Sequence, residues 1–188
     1  MKNILEIIGN TPIVKLQKIV PRGCGEIYLK LEAYNQTGSK KDRMALAMNE
    51  GAEKRGDLKQ GMTVVEYSGG STGAGLAFVC SLKGYRFRLI TADVFGKEKI
   101  SLMNSLGADL EVIKSRDGKI TKELINKMIN RAKEISKEPN TFFTNQLDNE
   151  DVIKGFVPLG EEILDQINGS INDVCDTVGT DGTWMGIA

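Results

Sequence analysis

The stretch TVVEYSGGSTGAGLAFV, residues 63–79, changes character in the middle. A short apolar run, Thr63 to Glu66, ends in a loop almost without side chains, Ser68 to Gly75, and an apolar, helix-like run from Leu76 follows. This strand, glycine-rich turn and helix together predict a βα unit whose turn brings backbone N–H groups and hydroxyls to a helix N-terminus, a place suited to an anion. A tight turn with close strand–helix packing explains the glycines equally well, but it leaves the hydroxyls of Ser68, Ser71 and Thr72 without a reason. The dinucleotide fingerprint G-x-G-x-x-G is not matched, because Gly73-Ala74-Gly75 runs on into Leu76-Ala77-Phe78. No phosphate-binding G-x-x-x-x-G-K-[ST] occurs either.

The same rhythm continues outward. Phe87–Ile90 and Leu110–Ile113 read as further strands, with helices expected over Thr72–Lys83, Lys97–Leu106 and Thr121–Ser136. In the last of these, Leu124, Met128, Ala132 and Ile135 fall on one face, which is a core stripe. A helix over Val157–Gln166 is expected to lead to a final strand at Val174–Val178. Two β-like runs, Thr11–Leu16 and Glu26–Leu31, precede the alternating part, and periodicity lapses over Lys137–Asn149. Alternating strands and helices predict an α/β fold, a three-layer parallel or mixed sheet with helices on both faces.

The 188 residues suffice for one large domain or two small ones. Lys plus Arg (25) balances Asp plus Glu (25), so no overall field recruits nucleic acid or an anionic membrane. With no long apolar run and no signal-peptide pattern at the start, the chain reads as cytoplasmic. Cys24, Cys80 and Cys175 are too scattered for a zinc site or a disulfide framework. Histidine is absent, which removes Ser-His-Asp and Cys-His machinery and any histidine base.

A second informative stretch is TGSKKDR, Thr37–Arg43. It reads as a loop entering a helix at about Lys40, with Ser39 as N-cap and Asp42 in capping-box position. Two lysines in a first turn oppose the helix macrodipole at a cost of roughly 0.3–1 kcal/mol for each cation. A partly buried lysine beside a second cation gives up its proton more easily, and a free amine is what a Schiff base requires. On this segment alone, the reading that both lysines point into water stays open. A third stretch, VGTDGT (Val178–Thr183), again interleaves glycines with hydroxyls after an expected strand and suits a phosphate.

IGNTP (Ile8–Pro12), TGSKKDR, SGGSTG (Ser68–Gly73) and VGTDGT, in that order, resemble the cysteine synthase and cystathionine β-synthase family of pyridoxal-phosphate enzymes, which have the tryptophan synthase β-subunit type of fold. The resemblance extends over essentially the whole chain. It implies that Lys41 holds pyridoxal phosphate and moves the substrate α-proton. It implies that Ser68, Gly69, Gly70, Ser71 and Thr72 grip the substrate carboxylate with help from Gln146, and that Ser71 stands where an asparagine also touches the cofactor. Gly179, Thr180, Gly182 and Thr183 match the phosphate cup, with Asp181 in place of a glycine and Lys40 where an apolar residue is usual.

The implied reaction is β-replacement on an activated serine of the O-acetylserine type by sulfide or a thiol, giving cysteine or a thioether. Two other readings are a non-catalytic remnant needing a C-terminal complement and a serine or threonine dehydratase. The resemblance further implies a small α/β domain at 35–145, joined by residues 1–10, and an incomplete, truncated large domain from 11–34 and 146–188. Its implied partners are a small amino acid, sulfide or a thiol, and a second copy in a dimer or a complementary C-terminal fragment, with no nucleic acid and no membrane.

Overall fold

The computed structural model describes residues 3–188. Its centre is a parallel sheet of four strands, β3 (Thr63–Tyr67), β4 (Arg86–Ala92), β5 (Ala108–Ile113) and β6 (Thr141–Phe143), in the order β5-β4-β3-β6. Two short antiparallel strands, β1 (Ile13–Lys15) and β2 (Tyr28–Lys30), form a separate ribbon in which Val14 faces Leu29. The helices are α1 (Lys41–Arg55), α2 (Ser71–Lys83), α3 (Lys97–Ser105), α4 (Lys122–Ile135), α5 (Asp151–Gln166) and α6 (Gly182–Ile187).

Strand alternation makes the layers. Val64, Phe87 and Leu89 face a core built with Met44, Met48, Leu76, Val79, Met103 and Phe156, so α1, α2, α3 and α5 lie on that side. Val65, Tyr67, Ile90 and Ala92 point the other way, onto the Leu124, Met128, Ala132 and Ile135 stripe of α4. The predicted α/β architecture with helices on both faces is therefore present.

The connections give this sheet its functional end. From β3 the chain steps outward through α2 to β4 and through α3 to β5. It then returns through α4, on the opposite face, to β6 on the far side of β3. The direction of winding reverses between β3 and β6, and in an open parallel sheet a crevice opens outside the carboxyl ends of the strands at such a point. Ser68–Thr72 follows β3 and Gln146 follows β6, so the reversal brings them together.

Helices α1, α2 and α5 approach closely because small residues face their neighbours. A Cβ on Gly75 of α2 would lie 3.1 Å from the Lys41 carbonyl oxygen, and one on Gly155 of α5 would lie 2.9 Å from the Met44 Cα. The starts of α1 and α2 are thereby held side by side.

Several expectations are corrected. Val174–Val178 is not a strand: no strand pairs with it among the described residues, and Val174 and Val178 are exposed. A β-favouring run forms a strand only when a partner takes its backbone hydrogen bonds. Helix α5 begins at Asp151, six residues before the predicted start, because burial of Val152 and Phe156 carries the helix through Pro158. The capping box does not form. Lys40 occupies the N-cap position of α1, Ser39 Oγ accepts from the Lys41 N–H at 3.2 Å, and Asp42 reaches back to the N–H and hydroxyl of Thr37. Strand β6 and helix α6 were not expected.

Candidate active site

Ser68 is buried and its hydroxyl oxygen accepts from the N–H groups of both Gly70 and Gly73 at 3.1 Å. Both of its lone pairs are used, so its remaining capacity is that of an O–H donor. It caps α2 across the turn. The N–H groups of Gly69, Ser71 and Thr72 have no protein acceptor among the described residues. They sit at the positive end of a 13-residue helix, a combination that favours an anion. A Cβ on Gly69 would collide with the Phe95 ring, so the close approach of Phe95 requires glycine there.

Gln146 is buried and donates from Nε2 to the Tyr67 carbonyl at 3.0 Å, which places its amide beside the entry to the Ser68 loop. Its own backbone N–H goes to Glu66 Oε2 at 3.0 Å. Glu66 is fully buried and also accepts from the Tyr67 N–H (2.8 Å) and the Thr144 hydroxyl (2.7 Å). Burial pushes its carboxyl up to about 7 despite these three donors. Glu66 thus ties the end of β3 to the turn after β6, a role the sequence reading missed; a lone carboxylate within the apolar run before the glycine turn was the available signal.

Lys41 opens α1, half-buried. Its Nζ lies 3.4 Å from the Thr180 hydroxyl and 5.7 Å from the centre of the Phe156 ring, and it forms no ion pair among the described residues. Desolvation lowers its proton affinity, Lys40 lowers it further, and Asp176 opposes both. The alternative in which both lysines point into water is not what the structure shows. Lys40 instead pairs with Asp176.

The last predicted loop comes to the same place through Thr180. Gly182 and Thr183 are buried, while Gly179 and Asp181 are exposed. Asp181 has φ +56° and its side chain caps nothing. Its carboxylate therefore points outward, but the residue carries a left-handed backbone that glycine adopts at less cost. Asp181→Gly is expected to raise stability by roughly 0.5–1 kcal/mol in urea unfolding; a loss of stability would mean that the carboxylate makes a contact of its own.

The fold and these residues define an α/β protein with a sheet reversal, a desolvated lysine of lowered proton affinity beside a glycine–hydroxyl loop, and, at a neighbouring helix start, N–H groups without a protein acceptor among the described residues. The family model described as pyridoxal-phosphate dependent enzyme matches residues 4–188, and the chain belongs to that family. It is 39% identical to a cysteine synthase of Staphylococcus aureus over 98% of this chain and 58% of that protein. It is 38% identical to cysteine synthase B of Escherichia coli over 100% of this chain and 60% of that one. Among solved structures, an O-ureido-L-serine synthase superposes with a TM-score of 0.89 at 34% identity, covering 100% of this chain and 58% of the other. The chain thus spans less than two thirds of the length of these relatives. No helix among the described residues is long and apolar enough to cross a membrane.

Proposed function

We propose that this chain supplies the cofactor lysine and the substrate-carboxylate loop of an enzyme that exchanges the β-substituent of an activated serine for sulfide or a thiol. The observation that carries the reading is the Lys41 amine. It is desolvated, forms no ion pair among the described residues, and is held between Thr180 and Phe156. Its surroundings fit pyridoxal phosphate: Lys41 for the aldehyde, Thr180, Gly179, Gly182 and Thr183 for the phosphate, and Ser71 at the head of the neighbouring α2. When bound, the cofactor supplies an electron sink for negative charge at the amino acid's α-carbon.

In this reading Lys41 takes and returns the α-proton. The N–H groups of Gly69, Ser71 and Thr72, the Ser68 hydroxyl and the second N–H of Gln146 hold the substrate carboxylate, with Gly70 giving the turn its shape. Donors fixed in place before the substrate arrives need no rearrangement at the reaction, which is where such sites gain most of their effect. The name cysteine synthase, borne by two of the relatives, supports a serine-type substrate that gains sulfur. The reading includes a small domain at 35–145, a dimeric assembly and a cytoplasmic location.

The test is to add pyridoxal phosphate and reduce with borohydride. Wild type should develop absorbance at about 410 nm, the region of a protonated lysine adduct, and a stable mass increase at Lys41 after reduction. Lys41→Ala should show neither. Matching spectra for the two proteins, or an adduct on Lys40 instead, would overturn the assignment.

A further inference from the structure

Residues 168–181 run from α5 to α6 without regular structure, and much of the segment is exposed. Two side-chain hydrogen bonds tie residues 170–180 to the rest of the described chain, and both go to the start of α1. Thr180 meets Lys41 at 3.4 Å, and Asp176 meets Lys40. The Asp176 carboxylate is oriented from its own side as well, since its other oxygen accepts from the Thr177 N–H at 2.8 Å. Side-chain exposures of 19% for Lys40 and 25% for Asp176 take the pair partly out of water, where screening is weaker.

We propose that Lys40 and Asp176 are a positioning pair that fastens the segment carrying Thr180 across the first turn of α1 and sets the charge felt by the Lys41 amine. The inference rests on the reading of Lys41 as the working amine. A lysine next to a catalytic lysine at a helix N-terminus would be unfavourable by itself, because the macrodipole and the neighbouring ammonium both repel it. Asp176 neutralises it and at the same time brings the loop that ends in Gly179 and Thr180 to the site.

The charged groups facing Lys41 are Lys40 on its own helix and Asp176 on the extended segment. Asp42, the next residue, is turned toward Thr37, and α5 presents the uncharged Phe156. Lys40 makes the Lys41 amine easier to free and Asp176 makes it harder. The two partners therefore act on it with opposite sign, although loss of either one releases the same segment.

The experiment uses the full chain without cofactor, with lysines reductively methylated by carbon-13 formaldehyde and the Lys41 resonance assigned by its absence in Lys41→Arg. Titration should move the Lys41 midpoint up in Lys40→Met and down in Asp176→Asn, with Lys40→Arg close to wild type. At pH of about 7.5, the rate of Lys41 acylation should fall roughly threefold or more in Lys40→Met. Amide hydrogen exchange over residues 170–180 should speed up in both Lys40→Met and Asp176→Asn and stay slow in Lys40→Arg. Midpoints that do not move, or that move in the same direction in both variants, overturn the electrostatic role; unchanged exchange overturns the fastening role. Neither result touches the borohydride adduct at Lys41, so failure of the pair and failure of the cofactor assignment read differently.

Discussion

Arg43→Ala is expected to cost about 3–5 kcal/mol of folding stability, the range for removing one member of a buried ionic cluster and leaving its partners uncompensated. Arg43 is 5% exposed on α1, and its guanidinium donates to both oxygens of Glu32, just after β2, and to both oxygens of Glu162 on α5, at 2.7–2.8 Å. Lys30 adds a contact of 2.6 Å to Glu162, so two cations balance two carboxylates. The cluster joins the β1–β2 ribbon, α1 and α5. Gly9 of the IGNTP stretch belongs to it too, since a Cβ there would lie 2.7 Å from Arg43 Nη1. Lysine cannot reproduce a planar fork that grips two carboxylates, so Arg43→Lys should recover only part of the loss.

Urea unfolding across pH checks this. Burial pushes Glu162 up, but hydrogen bonds from Arg43, Lys30 and the Asn10 N–H outweigh it and hold the carboxyl at about 2, below its ordinary 4.5. Its contribution is full above pH of about 4.5 and is lost as pH falls toward about 2. Arg43→Ala should therefore lower the curve near neutrality and flatten this acid limb. A variant within about 1 kcal/mol of wild type at neutral pH would show that the cluster does not hold the ribbon to the helices.

Phe156→Ala should be of similar size, about 3–5 kcal/mol, because it empties a large, fully buried aromatic site. Its neighbours have little freedom to fill the space. A Cβ on Gly186 would stand 2.6 Å from the Phe156 Cβ, so α6 already rests against α5 and closer approach is blocked by backbone. The ring also covers the Lys41 amine, and its loss admits water there. Removal of desolvation, the first cause of the lowered proton affinity of Lys41, should move the Lys41 titration upward. Phe156→Leu keeps most of the apolar volume and should leave the titration near wild type, with a smaller stability loss. An unchanged Lys41 midpoint in Phe156→Ala would mean that another group keeps the amine dry.

Much of the candidate site could be named from the sequence because its parts are local. SGGSTG lies at a strand-to-helix turn, and KK at a helix start, by rules that need only a dozen neighbouring residues. Lys41, Ser68, Ser71 and Thr72 could be named for that reason, although their roles came from resemblance and not from spacing. The failures have one cause in common. Val174–Val178 has the composition of a strand but lacks a neighbour among the described residues, whereas Thr141–Phe143 is too short to signal a strand by pattern, yet forms β6 because β3 presents an open edge to it. Asp42 stands at capping-box spacing from Ser39 but finds a better donor pair at Thr37.

By itself the sequence determined the α/β class, the amphipathic stripe of α4 and the two helix starts proposed to carry the chemistry, since periodicity, glycine placement and side-chain type act over short range. Only the tertiary structure decided which helix starts lie side by side, that Gln146 and Glu66 stand at the reversal between β3 and β6, and that Lys40 meets Asp176 while Lys41 meets Thr180. The Gln146, Glu66–Thr144, Lys40 and Lys41 contacts join residues more than 70 positions apart. They are set by sheet order and helix spacing, which follow from how all the apolar faces pack at once.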